Sequence, residues 1–284
     1  MNLTALKRMQ SGAIGFAGVI ILILSSAPCA AQLWGIQPAT NRIVRVDPVT
    51  GNVLSGFTPP GGALTPTQQF GGLTIAEGRS TLLYQNPVAN PTSLFRINPN
   101  TGALLSTEFM PAAGVPDFRA GLSYQTGAGA LGQNAVFAIN DGGPVQRQDG
   151  YGNPTLVDHT PPGATFAGAI GGDDTGRLFI AINGGIYEFS PFTPNTIIRN
   201  YSAPTGVGTV VGMAFDGVSL YMSDLNSRLY TMNPDTGAVI RSVIVQSGPL
   251  IGLGARIPEP ASVSLIALSA WIMAGSFWRQ RTRR

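Results

Sequence analysis

One phrase recurs along this chain and sets its architecture. Ile43-Val44-Arg45-Val46-Asp47-Pro48-Val49-Thr50-Gly51 returns as Leu94-Phe95-Arg96-Ile97-Asn98-Pro99-Asn100-Thr101-Gly102. It returns again as Leu229-Tyr230-Thr231-Met232-Asn233-Pro234-Asp235-Thr236-Gly237. Ile186 to Asn195 is a worn copy with Ser190 and Pro191 at its turn. Each copy alternates like a strand and then runs into a turn. Asp or Asn accepts backbone hydrogen bonds at the first turn position, Pro fixes φ at the next, and Gly takes the left-handed conformation. Ala103-Leu104-Leu105 and Ala238-Val239-Ile240 then read as return strands.

A second landmark precedes each hairpin. Gly72-Leu73, Gly121-Leu122, Gly168-Ala169 and Gly212-Met213 each open a short strand, and they are spaced by 49, 47 and 44 residues. Second strands follow at Thr81–Tyr84, Ala135–Ile139, Arg177–Ala181 and Ser219–Met222. One unit is four short strands in about 40–50 residues, the size of a propeller blade. The ends complement each other. The hairpin from Leu33 to Leu54 lacks a Gly-Leu strand before it, and Ile251-Gly252-Leu253-Gly254-Ala255 lacks a hairpin after it. Together they make one split blade that closes a ring and removes its open edge.

The expected fold is therefore all-β, a propeller of about five four-stranded blades with split-blade closure. The blades start at Gly72, Gly121, Gly168, Gly212 and Gly252. The third is the weakest, because Val145 to Thr155 has no clean turn. A sixth degenerate blade and a β-sandwich remain as alternatives. The pattern resembles the bacterial exported propellers with Asp-Pro-x-Thr-Gly turns, of the NHL and surface-antigen repeat type. The Gly-His and Trp-Asp marks of WD40 blades are absent.

Both ends read as targeting segments. Lys7 and Arg8 precede an apolar stretch from Ala13 to Leu24 and the small residues Ser25 to Ala31, the order of a secretory signal peptide with cleavage after Ala31. A lipoprotein reading would acylate Cys29, but Pro28 fits a lipobox poorly. Cys29 is the only cysteine and leaves with the signal, so burial alone must hold the exported chain together.

At the other end, Pro258-Glu259-Pro260 precedes 18 uncharged residues from Ala261 to Trp278. As a helix that run is roughly 27 Å long, close to the bilayer core. Arg279, Arg281, Arg283 and Arg284 follow it, placed for the cytoplasmic side. Pro258 and Pro260 keep the strip before it extended. The stretch resembles the PEP-CTERM sorting signal of Gram-negative bacteria. The resemblance implies recognition by an exosortase at the inner membrane. It also implies a destination at the cell surface or in the extracellular matrix. An ordinary single-pass anchor is the plainer alternative. The expected organisation is thus 1–31 signal peptide, 32–256 propeller and 257–284 sorting and anchor segment.

The sequence pI near 9.3 does not signal nucleic acid. Between Gln32 and Ile257 there are 11 Arg and no Lys against 13 Asp plus Glu, a net of −2. The excess positive charge sits in the two targeting segments, so the folded part offers no basic footprint.

Catalytic and metal signals are sparse. His159 is the only histidine and lies in a Pro-rich loop, so a His- or Cys-based zinc site is excluded in the exported chain. No Gly-x-Ser-x-Gly elbow occurs. Asp173-Asp174-Thr175-Gly176 reads as a hairpin turn before it reads as a calcium ligand set, like Phe215-Asp216-Gly217. Gly71-Gly72, Gly142-Gly143 and Gly184-Gly185 read as tight strand connections. Phe70, Phe118, Phe166 and Val210 read as packing between blades.

Two functions compete. One is a non-catalytic surface or matrix protein binding polysaccharide, protein or a small ligand, with no cofactor. The other is a secreted hydrolase, lactonase or oxidoreductase on the same scaffold. A quinone-cofactor propeller would want Trp in most blades, and the exported region has only Trp34.

Overall fold

The repeats build five antiparallel sheets of four strands each. The computed structural model describes residues 31–66, 68–78, 80–86, 88–89, 92–109, 119–129, 131–140, 145–150, 156–158, 167–172, 176–182 and 184–256, with backbone alone at 119–120, 140, 156–158 and 167. The signal segment through Ala30, Pro258, Glu259, Pro260, the apolar run and the Arg279, Arg281, Arg283 and Arg284 tail lie outside the described residues, as do His159, Asp173, Asp174, Gly142, Gly143, Phe118 and Phe166. Ala31 is described and immediately precedes the first strand. Among the described residues no helix is long and apolar enough to cross a membrane.

Blade 1 contains β1 (Gln32–Gln37), β2 (Arg42–Val46) and β3 (Val53–Phe57). Blade 2 is β4 (Gly72–Ala76), β5 (Thr81–Gln85), β6 (Ser93–Ile97) and β7 (Leu104–Phe109). Blade 3 is β8 (Arg119–Gln125), β9 (Ala135–Asn140), β10 (Val145–Asp149) and β11 (Leu156–Asp158). Its outer strand is only three residues long, in keeping with the missing turn motif. Blade 4 is β12 (Ala167–Gly172), β13 (Leu178–Ile182), β14 (Gly185–Phe189) and β15 (Ile197–Ser202). Blade 5 is β16 (Val210–Phe215), β17 (Leu220–Asp224), β18 (Arg228–Met232) and β19 (Val239–Ile244).

The last strand, β20 (Ile251–Arg256), returns to blade 1 and becomes its innermost strand. Gln32 pairs with Arg256, Trp34 with Gly254 and Gly35 with Leu253. The split blade is therefore real, and the described sheets number five. The innermost strands β4, β8, β12, β16 and β20 touch in succession, and β20 touches β4 to close the circle.

The core is five apolar layers, one between each pair of neighbouring blades. Strand periodicity explains them: successive side chains point to opposite sheet faces, so a strand buried on both faces is apolar throughout. In β5, Leu82 and Tyr84 face blade 1 with Trp34 and Ile36. Leu83 faces blade 3 with Leu122 and Tyr124. The remaining layers join blades 3 and 4, 4 and 5, and 5 and 1. The landmark glycines lie where innermost strands cross. A Cβ on Gly72 would come within 2.8 Å of Leu122 Cδ1 in the next blade, and one on Gly212 within 2.9 Å of Leu253 Cγ. Gly71-Gly72 thus opens β4 beneath its neighbours instead of making a tight connection, because a long segment already joins β3 to β4.

Each sheet has a loop end, where the chain enters the innermost strand, and a turn end, which carries the repeated turns. Those turns close one residue later than a β-turn. The Gly51 amide donates to the Asp47 carbonyl at 2.8 Å, Gly102 to Asn98 at 2.8 Å and Gly237 to Asn233 at 2.9 Å. Each glycine has positive φ, 76°, 73° and 71°. The side chain at the first position accepts the next amides: Asp47 from Val49, Asn98 from Asn100 and Thr101, Asn233 from Asp235 and Thr236. In the worn copy Ser190 Oγ accepts from Phe192 and Thr193, and Asn195 takes the left-handed position with φ 55°.

The turn also latches blades together. A Cβ on Gly102 would lie 2.8 Å from Phe57 Cβ in the preceding blade, and one on Gly237 2.6 Å from Tyr201 Cγ. Gly51 abuts Ile244 in blade 5 in the same way, and Gln246 N donates to the Gly51 carbonyl at 3.2 Å.

Only Asp47 among these first positions titrates. The Val49 amide and the Thr50 hydroxyl, with Arg241 nearby, hold its carboxyl below the ordinary value. Stability from this turn is then present above the unfolded pKa of about 3.9 and lost as pH falls through the lower folded value. Asp47→Asn mimics Asn98 and should remove this dependence. The difference in Tm between wild type and variant, measured by thermal melts, should change across that acid window and be constant between pH 5 and 8, roughly, where Asp stays charged.

Candidate functional site

The axis carries no catalytic constellation among the described residues. The innermost strands bring Leu73, Leu122, Ile170, Met213 and Leu253, all buried, to the blade interfaces. No group of three or more described His, Cys, Asp or Glu could hold a metal ion.

The carboxylates serve the scaffold. Asp224, at the loop end of β17, accepts from the amides of Asn226 and Arg228 through Oδ1, and from Gly208 N and the Tyr230 hydroxyl through Oδ2. Asp216 accepts from Val218 and Ser219 amides and from the Tyr221 hydroxyl at 2.9 Å. This makes Phe215-Asp216-Gly217 the turn that its sequence suggests. Burial and then the adjacent carboxylates push both phenols above their ordinary range. Glu77 and Glu108 pair with Arg96, and Asp149 with Arg147 at 2.9 Å.

Glu188 centres the largest ionic network. Arg177 donates to both its oxygens at 2.6 and 2.9 Å, and Arg199 Nε lies 2.9 Å from Oε2. Asp235, from the blade 5 turn, meets Arg177 at 3.1 Å and Arg199 at 2.9 Å. The Arg177 guanidinium also lies 5.0 and 5.1 Å from the Phe179 and Phe215 ring centroids. The network bolts blade 5 to blade 4. No single sequence motif marks it, because its members come from two strands, the residue just before β13 and a turn.

Among the described residues the loop end has a cleft between blades 4 and 5. Its volume is about 330 Å³, within the range of small-ligand pockets. Gly168, Gly184, Gly185, Ala203 and Gly208 form most of its wall, with Val207, Thr209 and Val210. Gly184 has φ 77° and makes the tight β13–β14 connection that its Gly-Gly pair suggests. Small residues leave peptide groups facing the space, and Thr209 supplies a hydroxyl. None of its described lining residues is titratable. Its described residues suit a neutral ligand held by hydrogen bonds and shape. Val210, a packing residue in the sequence reading, packs against the blade 4–5 layer and also borders this cleft. Phe70 packs against the blade 3–4 layer.

A second polar cluster sits inside blade 2. Asn86 Oδ1 accepts from the Val88 and Ala89 amides, and Gln68 Nε2 donates to the Phe70 carbonyl at 2.7 Å. The Tyr84 hydroxyl is fully buried near Asn86 but makes no well-directed hydrogen bond. Burial raises its pKa well beyond the usual phenol value. An unsatisfied buried hydroxyl costs about 1–3 kcal/mol. Tyr84→Phe should therefore be neutral or raise the denaturation midpoint, by about 1 kcal/mol, in a urea titration. A loss of comparable size would assign the hydroxyl a partner.

These features define a five-bladed β-propeller. No protein-family model matches the chain, and no curated protein matches it. Solved structures with a similar strand layout include Myxococcus xanthus glutaminyl cyclase, at TM-score 0.45 and 12% identity, covering 62% of this chain and 70% of that one. A protein of unknown function from Bacteroides caccae gives 0.41 and 12%, covering 76% and 73%. A chain of the mitotic checkpoint complex gives 0.40 and 12%, covering 64% of this chain and about half of that one, 51%. The fold assignment rests on the hydrogen-bonded ring itself.

Proposed function

We propose that this is an exported surface or matrix protein of a Gram-negative bacterium, sorted through Pro258-Glu259-Pro260 by an exosortase, whose propeller binds rather than catalyses. The observation that carries the binding reading is the blade 4–5 cleft, whose described wall is made of small residues and peptide groups, none of them titratable. A neutral, hydroxyl-rich ligand such as an extracellular polysaccharide, or a peptide strand of a surface protein, fits that chemistry. The commitment of the described carboxylates to turns and ion pairs supports the same reading. The signal peptide, the apolar run and the four terminal arginines supply the route and the anchor.

Binding of the exported chain to an array of neutral matrix glycans and surface proteins tests the propeller. Ala203→Trp, which fills the cleft, should abolish the signal. Turnover of ester or lactone substrates by the same preparation, with a stoichiometric divalent ion, would overturn the reading. Glu259→Ala tests the address in a host with an exosortase: the propeller should lose its accessibility to added protease on intact cells. Recovery of the unvaried chain from the cytosol would refute export.

A further inference from the structure

A second cavity adjoins the blade 4–5 cleft, and one loop divides the two. Among the described residues its wall includes Pro204, Thr205 and Gly206 of the β15–β16 connection, Arg228 and Tyr230 of β18, and Ser242 of β19, around a volume of about 440 Å³. The next residues of the same connection, Val207 to Val210, wall the cleft. The Val207 amide donates to the Pro204 carbonyl at 3.2 Å and closes a tight turn with Gly206 at φ 80°. The loop is tied to both blades. Ala203 N donates to the Gly184 carbonyl in blade 4 at 3.0 Å, and Leu225 N of blade 5 donates to the Thr209 carbonyl at 3.0 Å.

Asp224 joins the two walls. Its Oδ2 accepts from Gly208 N of the cleft at 3.0 Å and from the Tyr230 hydroxyl of the second cavity at 3.2 Å. Its Oδ1 accepts from the Arg228 amide at 2.9 Å. Walls that meet at one buried carboxylate are held in one arrangement, so the two cavities form a composite site.

The second half differs from the first in chemistry. Arg228 is exposed, and its guanidinium has no carboxylate or hydrogen-bond partner among the described residues. Arg96, Arg147, Arg177 and Arg199 are all paired. Burial and then Asp224 raise the Tyr230 phenol, and the Arg228 charge opposes that rise, so the guanidinium lies near this hydroxyl. Asp224 is fully buried and turns its oxygens to four donors, so a ligand meets the guanidinium first. Thr205, Thr209 and Ser242 are exposed, and their hydroxyls make no hydrogen bond to another described residue. Free hydroxyls beside a free guanidinium match a sugar acid: hydroxyls pair with hydroxyls, and the guanidinium fork takes a carboxylate through two N–H bonds. The net charge of −2 between Gln32 and Ile257 exerts no general pull on anions, so discrimination falls to Arg228.

We infer that the cleft and the second cavity together bind a carboxylate-bearing glycan, with neutral sugar units in the cleft and a uronate carboxylate on Arg228. The inference rests on the cleft reading given above and narrows its ligand to an acidic polysaccharide.

The test titrates the full chain in dilute detergent with a short oligouronate and with the same oligosaccharide after reduction of its carboxylates to alcohols. The oligouronate should bind about tenfold more tightly, the effect of one charged hydrogen-bonded contact, and the preference should fade in high salt. Arg228→Gln should bring the oligouronate down to the affinity of the reduced form, leave the reduced form unchanged, and melt with the wild type. Ala203→Trp should abolish both. Equal affinity of the wild type for the two oligosaccharides, or an Arg228→Gln chain that still prefers the oligouronate, overturns the inference and leaves the cleft reading standing. A glutamate-rich peptide that binds as tightly as the oligouronate, at the cost of Arg228, overturns the glycan assignment. Binding of neither oligosaccharide sinks the inference and the glycan reading of the cleft together.

Discussion

Leu253→Ala is expected to cost about 3 kcal/mol, in the range for a fully buried leucine whose cavity cannot collapse. Leu253 is 1% exposed and sits on the strand that completes blade 1. It packs with Leu33, Val44, Tyr221 and Leu250 in the layer between blades 5 and 1, and it abuts Gly212 of the neighbouring innermost strand. Against a total stability of about 5–15 kcal/mol, that is a large fraction from one side chain. A loss of this size lowers Tm by roughly 6–12 °C for a domain of this length. Leu253→Asp adds an unpaired buried charge and should leave the chain unfolded, with no cooperative urea transition. Leu54→Ala, on an exposed bulge, is the control and should stay within about 0.5 kcal/mol of wild type. A Leu253→Ala protein that melts with the wild type would mean that ring closure contributes nothing to stability.

The second large effect is expected at Glu188. Its side chain is 4% exposed, and it receives two guanidinium groups. Glu188→Ala leaves Arg177 and Arg199 facing one another with only Asp235 between them. Removing one partner of a buried pair costs about 3–5 kcal/mol. Arg177 and Arg199 retain 24% and 37% exposure, so water softens the loss to about 2–3 kcal/mol. Glu188→Gln keeps an acceptor and should lose less. Asp235, 63% exposed, should matter little, within about 1 kcal/mol. Calorimetry at low and high salt separates the contributions: the Asp235→Ala effect should fade with salt, and most of the Glu188→Ala effect should persist. Equal effects for Glu188→Ala and Asp235→Ala would mean that the network is a surface decoration.

The architecture was legible because its signals are local and repeated. The three Pro-x-Thr-Gly turns mark hairpins, and the glycines mark the innermost strands. The split repeat foretold a pairing that joins residues more than two hundred positions apart, Gly35 with Leu253. The weakness of blade 3 was readable from its missing turn. Less legible was what the motifs do in three dimensions. The turn glycines satisfy a positive φ, but they also leave space for the preceding blade, and sequence carries only the first requirement. The bulges at Leu54, Leu105, Ile198 and Ile240 follow from register, which no single strand reveals. The cleft was hidden for a different reason: glycine and alanine walls have no chemical signature, so its binding groups belong to the backbone. The Glu188 network joins residues from two blades and has no spacing to find.

Closure by the last strand has a consequence for biogenesis. The strand that pairs with Gln32–Gln37 on its inner side is the final piece of the propeller to leave the ribosome. Until then β1 lacks its neighbour, and blades 5 and 2 cannot meet across blade 1. Long-range pairing of this kind is slow, and an unpaired strand exposed meanwhile invites aggregation. Maturation is thus timed to the arrival of β20, and a chain truncated before it would be an open arc.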